Sequence, residues 1–486
     1  MLLTQIDSRI ISTEGIITKN QFEKDVHIFC ELFHMKGISS QDHVVLKSDN
    51  SYWFIVSLFS LCQMAVSIIV IDSQTLPDEI MEIYTETEAN VILTDICPEL
   101  KNVNAILIPA LLEEYKLYFK MAIESPICKI DFSKWCERKD ALILYSSGTT
   151  GKPKGIVKSG STFIENIVDT IQMMKYVSSD CMLPIVPFSH FYGLSLIFSW
   201  WFVSCSFIIC NPKNLWSIIT QISKDQATIV DANPSAYYTL LRLLERKPRQ
   251  LELIKNAKIR MWCVGGSPLT SDLDQKFNSI FGQPLLNGYG LSELGNVTLG
   301  TLDNPKGCGK PLPGVMLKIL DQNKNEVDQG ITGEVWIKSI GRMEGYLNRP
   351  ELTESVIEKD WFQTGDLGYF NQNNLYVIGR IGKTINRMGY MISAVYIEDR
   401  ISAFGYRCCV VTLDDISKGN LIIIFIESEY SEILHSLRKE MNTVLPTYMY
   451  PDRLFALKTF PLNRNGKVDR LHLEKLAQEK IELRKN

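Results

Sequence analysis

Short hydrophobic runs rich in β-branched residues alternate with amphipathic helical patterns over the first two thirds of the chain. The alternation predicts strands over 66–71, 91–94, 141–144, 228–230 and 258–264, with helices over 77–88 and 235–245 between them. Strands that alternate with helices form parallel sheets whose faces the helices cover. This part of the chain is therefore predicted to be α/β and to consist of parallel-sheet subdomains.

The pattern changes twice further along. Alternating segments at 315–320 and 333–338 flank a polar, turn-rich stretch, which predicts a small β subdomain. Strand patterns at 408–413 and 421–427 and a helix with Ile433, Leu434, Leu437 and Met441 on one face follow beyond residue 380. With 486 residues available, we expect a large N-terminal domain over 1–380 and a small, mobile α+β C-terminal domain over 381–486.

The apolar stretch at 54–71 is long enough to span a bilayer. Four polar residues interrupt it, however, and its second half is β-branched like a buried strand. The shorter stretch at 200–210 has the same character. Both are interpreted as a helix followed by a buried strand, so no membrane span is expected.

Composition narrows the functional classes. A net charge of −4 without a basic patch argues against a nucleic-acid partner. The 12 cysteines lack the paired spacing of a zinc site. Because the sequence shows no secretory leader, reduced cysteines and a cytoplasmic location are expected.

Candidate chemistry is densest at residues 145–155, which read Tyr-Ser-Ser-Gly-Thr-Thr-Gly-Lys-Pro-Lys-Gly. Glycines let the backbone approach a ligand, hydroxyls donate hydrogen bonds and lysines attract an anion. The pattern predicts a phosphate-binding loop, with a solvated surface loop as the alternative. It is not a Walker loop, which has four residues between its glycines and Ser or Thr after the lysine. Here two residues separate Gly148 from Gly151, and proline follows the first lysine. The candidate nucleotide-binding residues are Ser146, Ser147, Gly148, Thr149, Thr150, Gly151, Lys152 and Lys154.

Residues 147–155 resemble the signature of the adenylate-forming superfamily, which comprises acyl- and aryl-CoA synthetases, luciferase-like enzymes and adenylation domains. Further motifs follow in the family's order over most of the chain. The resemblance implies ATP and Mg²⁺ as cofactors and a two-step reaction. A carboxylate attacks the α-phosphate with loss of pyrophosphate, and a thiol then displaces AMP from the acyl-adenylate. It also implies that the C-terminal domain rotates between the steps.

A second motif, Asn-Gly-Tyr-Gly-Leu-Ser-Glu, occupies residues 287–293. Its tyrosine offers a flat face for a purine, and its glutamate offers the hard oxygen that Mg²⁺ prefers. An ordinary turn is the alternative. The segment resembles the family's Tyr-Gly-x-Thr-Glu motif, with serine in place of threonine. The resemblance assigns Asn287, Gly288, Tyr289, Gly290 and Ser292 to the nucleotide and Glu293 to the metal.

Two motifs lie nearer the C-terminus. Thr-Gly-Asp at 364–366 and Val-Ile-Gly-Arg at 377–380 resemble family segments that direct Asp366 and Arg380 to the ribose and phosphate. The segment at 461–467 places Lys467 where the family has its catalytic lysine. Each motif alone is also compatible with a surface turn. A lysine at position 467 offsets the repulsion between two anionic reactants. That repulsion is about 4 kcal/mol for unit charges about 4 Å apart at an effective dielectric of about 20.

Three positions depart from the family pattern near the predicted thiol channel, to which the resemblance assigns Gly389. Gly382 stands where the family's hinge is usually Asp or Lys, Asn386 replaces lysine and Met391 replaces arginine. Glycine is expected to ease the rotation. The other two changes weaken polar contacts, which leaves the identity of the thiol and the second half-reaction open.

The segment at 187–194 resembles the Phe-His-x-x-Gly segment of acyl- and aryl-CoA ligases. Amino-acid-activating domains carry an aspartate here that pairs with the substrate's ammonium group, and its absence argues against an ordinary α-amino acid. His190 and Phe191 are interpreted as an aromatic gate on an acyl pocket. The alternative is a histidine buried in the core.

Four other residues complete the predicted pocket. Gly265 and Gly266 resemble a pocket-lining segment of the same enzymes, and Gly290 is expected beside them. Asp231 either ends a strand as a satisfied carboxylate or faces the pocket and binds a β-amino or hydroxyl group.

The predicted activity is ATP-dependent ligation of a small carboxylic acid to the thiol of CoA. The predicted catalytic residues are Lys467, Thr149, Glu293 and His190. The first alternative loads the acid onto the phosphopantetheine of a carrier protein. The second is a non-catalytic adenylate-binding protein, which the departures from the family pattern keep open. A kinase or P-loop ATPase is disfavoured, because it would release ADP rather than AMP.

Overall fold

The computed structural model describes residues 8–96, 103–121, 129–146, 153–212, 214–224, 227–321, 323–381, 384–387, 390–415, 419–445, 449–464 and 466–482. Its strands up to residue 311 are β1 (Arg9–Ser12), β2 (Gly15–Thr18), β3 (His43–Lys47), β4 (Ser67–Ile71), β5 (Val91–Thr94), β6 (Ala105–Leu107), β7 (Leu142–Ser146), β8 (Lys154–Lys158), β9 (Cys181–Ile185), β10 (Ser206–Ile208), β11 (Ile229–Ala232), β12 (Met261–Val264), β13 (Leu285–Leu291), β14 (Gly295–Leu299) and β15 (Lys310–Pro311).

The helices of the same region are α1 (Lys19–Met35), α2 (Tyr52–Gln63), α3 (Pro77–Glu86), α4 (Ile108–Met121), α5 (Ser133–Cys136), α6 (Gly160–Met174), α7 (Phe191–Val203), α8 (Leu215–Ser223), α9 (Pro234–Glu245), α10 (Pro248–Lys255) and α11 (Ser271–Phe281). A middle region follows with β16 (Met316–Leu320), β17 (Gly333–Lys338), β18 (Gly345–Tyr346), α12 (Pro350–Val356), β19 (Ile357–Glu358), β20 (Trp361–Asn371) and β21 (Asn374–Arg380). The C-terminal region contains β22 (Thr384–Arg387), β23 (Tyr390–Ser393), α13 (Ala394–Ser402), β24 (Cys408–Asp415), β25 (Gly419–Glu427), α14 (Ile433–Val444), β26 (Arg453–Leu457) and α15 (Arg470–Glu482).

Two large sheets form the first part of the molecule. The seven-stranded sheet has the order β18-β8-β7-β4-β3-β5-β6, and the nine-stranded sheet has the order β15-β14-β13-β12-β11-β9-β10-β1-β2. The central strands are parallel, as predicted. One edge of the seven-stranded sheet and both edges of the nine-stranded sheet are antiparallel, because β8, β14 and β2 each follow their neighbour through a hairpin, whereas β6 at the remaining edge is parallel to β5. The sheets are therefore mixed rather than wholly parallel.

Aromatic side chains fill the space between helices α1, α2 and α7. The rings of Phe59 and Phe198 stack at 5.3 Å between centroids, and Phe22 meets Phe59 edge-on at 5.2 Å. All three side chains are buried. The apolar stretch at 54–71 therefore belongs to α2 and β4, as predicted. None of the described helices is long and apolar enough to cross a membrane.

The middle region adds the predicted small antiparallel β layer, with the order β16-β17-β20-β19 and β21 paired to β20. Strand β18 leaves this layer and pairs instead with β8 of the first large sheet, where Tyr346 lies opposite Ile156. The β layer is thus joined directly to the strand that follows the predicted phosphate loop.

The C-terminal region, called the cap below, is a five-stranded sheet with helices on both faces. Along β25, Ile422, Ile424 and Ile426 pack against α13 and α14, whereas Ile423 and Phe425 pack against α15. Since side chains of a strand alternate between faces, one apolar strand serves two helical layers. This is the predicted α+β architecture, and the boundary at residue 380 stays a prediction.

One ion pair at the surface of the first sheet makes stability depend on pH. His43 Nδ1 donates to Thr87 O (2.7 Å), and Nε2 lies 3.2 Å from Asp140 Oδ2. Asp140 also accepts from Arg138 at 2.8 Å. The hydrogen bond with Asp140 raises the pKa of His43, and burial offsets part of that rise. The charged imidazole therefore stabilises the fold below the unfolded pKa, and the effect is lost as pH rises through the folded pKa.

We expect His43→Gln to lower the free energy of unfolding by about 0.5–1 kcal/mol at pH 6 and by less at pH 9, because the pair is partly exposed. Urea denaturation at the two pH values measures the difference. An equal loss at both would show that protonated His43 contributes nothing.

Candidate active site

The predicted phosphate loop joins two paired strands. Ser146 at the end of β7 lies opposite Lys154 at the start of β8. Lys154 Nζ lies 5.4 Å from the centroid of the Tyr346 ring. Six of the predicted loop residues, Ser147, Gly148, Thr149, Thr150, Gly151 and Lys152, lie outside the described residues, so their roles stay predictions.

Glu293 lies in the turn that follows β13, against the segment that leads into β18. Tyr346 Oη donates to Glu293 Oε1 (3.0 Å), and the N–H of Met343 donates to Glu293 O (2.6 Å). The tight β13–β14 hairpin requires a glycine at position 290, because a Cβ there would lie 2.5 Å from Gly295 O. Glu293 is thereby held half-buried beside β8.

The carboxylate of Glu293 has the character of a ligand for a hard cation. Its hydrogen-bond donor at Oε1 is a neutral phenol, and among the described residues it forms no ion pair with a basic side chain. The described ranges contain no cluster of three or more His, Cys, Asp or Glu able to hold a metal. Mg²⁺ typically binds one or two carboxylates together with substrate phosphates. Glu293 fits that mode of binding rather than an all-protein metal cage.

The second and third motifs meet in space. Tyr289 Oη donates to Asp366 Oδ2 (2.6 Å), and Arg380 Nε lies 3.2 Å from Asp366 Oδ1. The β20–β21 pairing places Asp366 directly opposite Arg380. Burial raises the pKa of Asp366, and the Arg380 charge lowers it in part. Residues that are far apart in the sequence thus form one continuous polar array.

The cap presents Lys467 on a tight turn against the large domain. Asn463 N donates to Lys467 O (2.7 Å), and Lys467 N donates to Asn463 Oδ1 (3.0 Å). A Cβ at Gly466 would lie 3.4 Å from Asn233 Nδ2, at the start of α9. On its other side the turn is tied to α3 by an ion pair between Arg464 and Glu79.

Arg470, three residues after Lys467, anchors this turn to the cap. Its Nη2 donates to both carboxylate oxygens of Glu398 at 2.8 Å, and its Nη1 donates to Val410 O at 2.6 Å. Glu398 also accepts from Val410 N (2.7 Å). The turn is therefore fixed to both α13 and β24.

Charged contacts also join the cap to α9. Arg407 lies 3.2 Å from Glu427 within the cap, 3.4 Å from Ser235 Oγ and 4.7 Å from the centre of the Tyr238 ring. Arg242 of α9 lies 3.4 Å from the same carboxylate of Glu427. The interface between the domains thus depends on polar groups.

The predicted substrate-pocket residues gather at the carboxyl ends of β11 and β12. Tyr192 Oη donates to Asp231 Oδ1 (2.9 Å), and a Cβ at Gly265 would lie 3.3 Å from the Tyr192 ring. Gly266 has a φ of +79°, which favours glycine. In parallel sheets this edge is where ligands bind.

Asp231 does not open onto solvent. The residue is 1% exposed, and its Oδ2 has no hydrogen-bond partner among the described residues. Burial raises its pKa to about 7, although Tyr192 and the neighbouring Cys263 thiol lower it in part. Neither sequence interpretation fits fully, because one oxygen is satisfied and the other is not.

His190 precedes α7, and its Nε2 lies 3.5 Å from Asp72 Oδ2 without forming a hydrogen bond. Phe191 is buried beneath it. Asn386 and Met391, two of the departures from the family pattern, are cross-strand neighbours in β22 and β23. Gly382 and Gly389 lie outside the described residues, so the hinge and the thiol channel stay predictions.

Two residues of this site were missing from the sequence interpretation. Residues 345–353, which include Tyr346, resemble a further family segment, but only the fold shows that the Tyr346 hydroxyl reaches Glu293. Lys158 could have been identified, because a strand places it on the same face as the buried Ile156.

Comparison with known proteins agrees with this geometry. The chain is 30% identical over 369 residues to malonate–CoA ligase of Arabidopsis thaliana, covering 69% of this chain and 60% of that protein. It is 26% identical over 337 residues to 2-succinylbenzoate–CoA ligase of Enterococcus faecalis, covering 68% of each. The chain thus spans about three fifths of the Arabidopsis relative, and 65% of human malonate–CoA ligase ACSF3.

Solved structures share the whole fold. ATP-bound MatB from Rhodopseudomonas palustris has a TM-score of 0.83 at 19% identity, covering 98% of this chain and 97% of that one. The o-succinylbenzoate CoA synthetase MenE from Bacillus subtilis, in complex with OSB-AMP, has a TM-score of 0.81 at 21% identity, covering 97% and 96%. Residues 5–347 match the AMP-binding enzyme family, which confirms the resemblance to adenylate-forming proteins. The chain therefore belongs to the AMP-binding enzyme family.

Proposed function

We propose that the protein is an ATP-dependent acid–thiol ligase that converts a carboxylic acid to its acyl-adenylate and transfers the acyl group to CoA. The hydrogen bond from Tyr289 to Asp366 carries the proposal, because it joins two nucleotide motifs that are separate in the sequence. The names of the relatives, malonate–CoA ligase and 2-succinylbenzoate–CoA ligase, support the same chemistry. The cytoplasm stays the predicted compartment.

In this proposal the chain orients the reactants and stabilises charge. Asp366 and Arg380 bind the ribose and phosphate side of ATP, and the loop at 146–154 holds its phosphates. Glu293 binds Mg²⁺, which when present screens the charge of the departing pyrophosphate. Lys467 lies between the substrate carboxylate and the α-phosphate and offsets their repulsion. His190 and Phe191 close the acyl side of the site.

Asp231 favours a second candidate, in which the acid carries a hydroxyl or β-amino group. A substrate donor that reached Oδ2 would satisfy the oxygen that lacks a partner. In this candidate the acceptor is a carrier-protein phosphopantetheine rather than CoA, a choice that Asp231 itself does not determine. Comparing thioester formation with free CoA and with a panel of carrier proteins separates the two acceptors.

Pyrophosphate exchange with a panel of carboxylic acids tests the first step. We expect exchange with at least one acid, and a loss of roughly 100-fold or more in Lys467→Ala, the range typical for removal of one transition-state donor. Thioester formation from pre-made acyl-adenylate should persist in this variant. Lys458→Ala, which removes a cap lysine with a 76% exposed side chain, is the matched control.

Failure of the exchange assay would point to the alternatives. No exchange with any acid, together with ATP binding, would favour the adenylate-binding protein. Release of ADP instead of AMP would exclude the whole family of reactions.

Asp366→Asn separates stability from nucleotide binding. Because burial raises the pKa of Asp366, ionising this carboxyl costs more free energy in the folded chain than in the unfolded chain. A neutral amide should leave Tm unchanged or higher, while ATP binding weakens about tenfold or more through the lost charged hydrogen bonds. Thermal unfolding and ATP calorimetry measure the two effects. A large fall in Tm with unchanged ATP affinity would contradict the assignment.

Asp231→Asn tests the buried carboxyl. Its folded pKa of about 7 lies above the ordinary aspartate value of 3.8, so the free energy of unfolding falls as pH rises from 3.8 to about 7. The free energy of unfolding of Asp231→Asn, relative to that of wild type, should be roughly 1–3 kcal/mol higher at pH 8 than at pH 5. Urea denaturation at both values measures this difference, and the unsatisfied amide costs the same at each pH. A difference independent of pH would show that Asp231 stays ionised.

A further inference from the structure

Lys158 at the end of β8 is a fully buried lysine whose charge interacts with the carboxylates of Glu293 and Glu344, although neither forms an ion pair with it among the described residues. Its residue exposure is 0%, and Nζ donates to Gly341 O (2.6 Å) and Ser292 O (3.1 Å). The Phe191 ring lies 5.3 Å away on a further side. Within the described ranges Lys158 forms no ion pair with a carboxylate, so main-chain dipoles and a ring face satisfy the ammonium group.

Burying a cation in this way is costly, and an apolar side chain would fill the same space without that cost. The hydrogen bonds of the buried ammonium group therefore restrict the main chain around it closely. If either carbonyl turned away, the ammonium would lose a hydrogen bond with no water to replace it. Lys158 therefore holds two separate segments of main chain in one arrangement.

Both segments lead directly to Glu293. Ser292 is the residue before it. Gly341 begins the segment whose Met343 N–H and Tyr346 hydroxyl bind Glu293. That segment also pairs with β8 through Glu344 N to Val157 O and Leu347 N to Gly155 O, both at 2.8 Å. The Lys158 side chain thus fixes both the main chain next to Glu293 and the segment that contacts the Glu293 carboxylate.

We propose that Lys158 is a positioning residue for the metal–nucleotide site, which holds the main chain at Ser292 and Gly341 so that Glu293 is preorganised to bind Mg²⁺ with ATP. The inference rests on the proposed function, in which Glu293 is the metal ligand. Lys158 touches neither ATP nor Mg²⁺ in this proposal. Groups that orient a metal ligand typically change metal affinity by about 10- to 100-fold when removed.

The test compares Lys158→Met with wild type by calorimetry of ATP binding over a series of Mg²⁺ concentrations. We expect the Mg²⁺ concentration for half-maximal ATP binding to rise roughly tenfold, whereas ATP binding without Mg²⁺ changes by less than about threefold. Tyr237→Phe is the matched control, because Tyr237 Oη donates to two buried carbonyls, Val230 O and Cys263 O. This control should lower Tm without changing the Mg²⁺ dependence.

A second variant keeps the test decisive if Lys158→Met does not fold. Glutamine is one bond shorter, so Lys158→Gln reaches at most one of the two carbonyls, and a rise of at least about threefold in the Mg²⁺ requirement is expected. A smaller change in the variant that folds, even with a lower Tm, would overturn the proposal and leave Lys158 a purely structural residue. ATP binding by wild type that is independent of Mg²⁺ would overturn the metal assignment as well. Pyrophosphate exchange by wild type tests the proposed function separately.

Discussion

Strand β8 is the constraint around which the site is arranged. It runs antiparallel to β7, and the predicted phosphate loop connects these two strands along the chain. Its free edge accepts β18, which carries Tyr346 to Glu293. Its last residue, Lys158, reaches the turn after β13. Three motifs that are far apart in the sequence are therefore positioned by one five-residue strand.

The order of elements followed from the hydrophobic pattern, because periodicity depends on local burial. Strands β5 and β17 have the predicted bounds. The apolar stretch at 54–71 forms α2 and β4, as predicted, rather than a membrane span. The strand predicted at 258–264 is shorter, since its pairing with β11 begins at Met261 opposite Ile229. Strand direction was predicted less well. A hydrophobic run has the same pattern in either strand direction, and the hairpin connections before β8, β14 and β2 make three of the four edges antiparallel.

The site was predictable to the extent that it follows known motifs. Resemblance named Tyr289 and Asp366 separately, but their contact depends on how the β layer packs against the second large sheet. Lys158 and Tyr346 belong to no assigned motif position, and their roles come from tertiary contacts with backbone carbonyls and one carboxylate. The predicted residues of the loop, hinge and thiol channel that lie outside the described ranges stay predictions.

The contact between Arg470 and Glu398 limits how the turn at 463–467 can move relative to the rest of the cap. Nη2 of Arg470 donates to both carboxylate oxygens of Glu398 and Nη1 donates to Val410 O, so one guanidinium joins the residues after the turn to a helix and a strand of the cap. The main chain at Lys467 is therefore held to the rest of the cap. In the proposed function, Lys467 would leave the nucleotide together with the cap, so loss of its charge and exposure of the opposite side of the adenylate would occur in one movement.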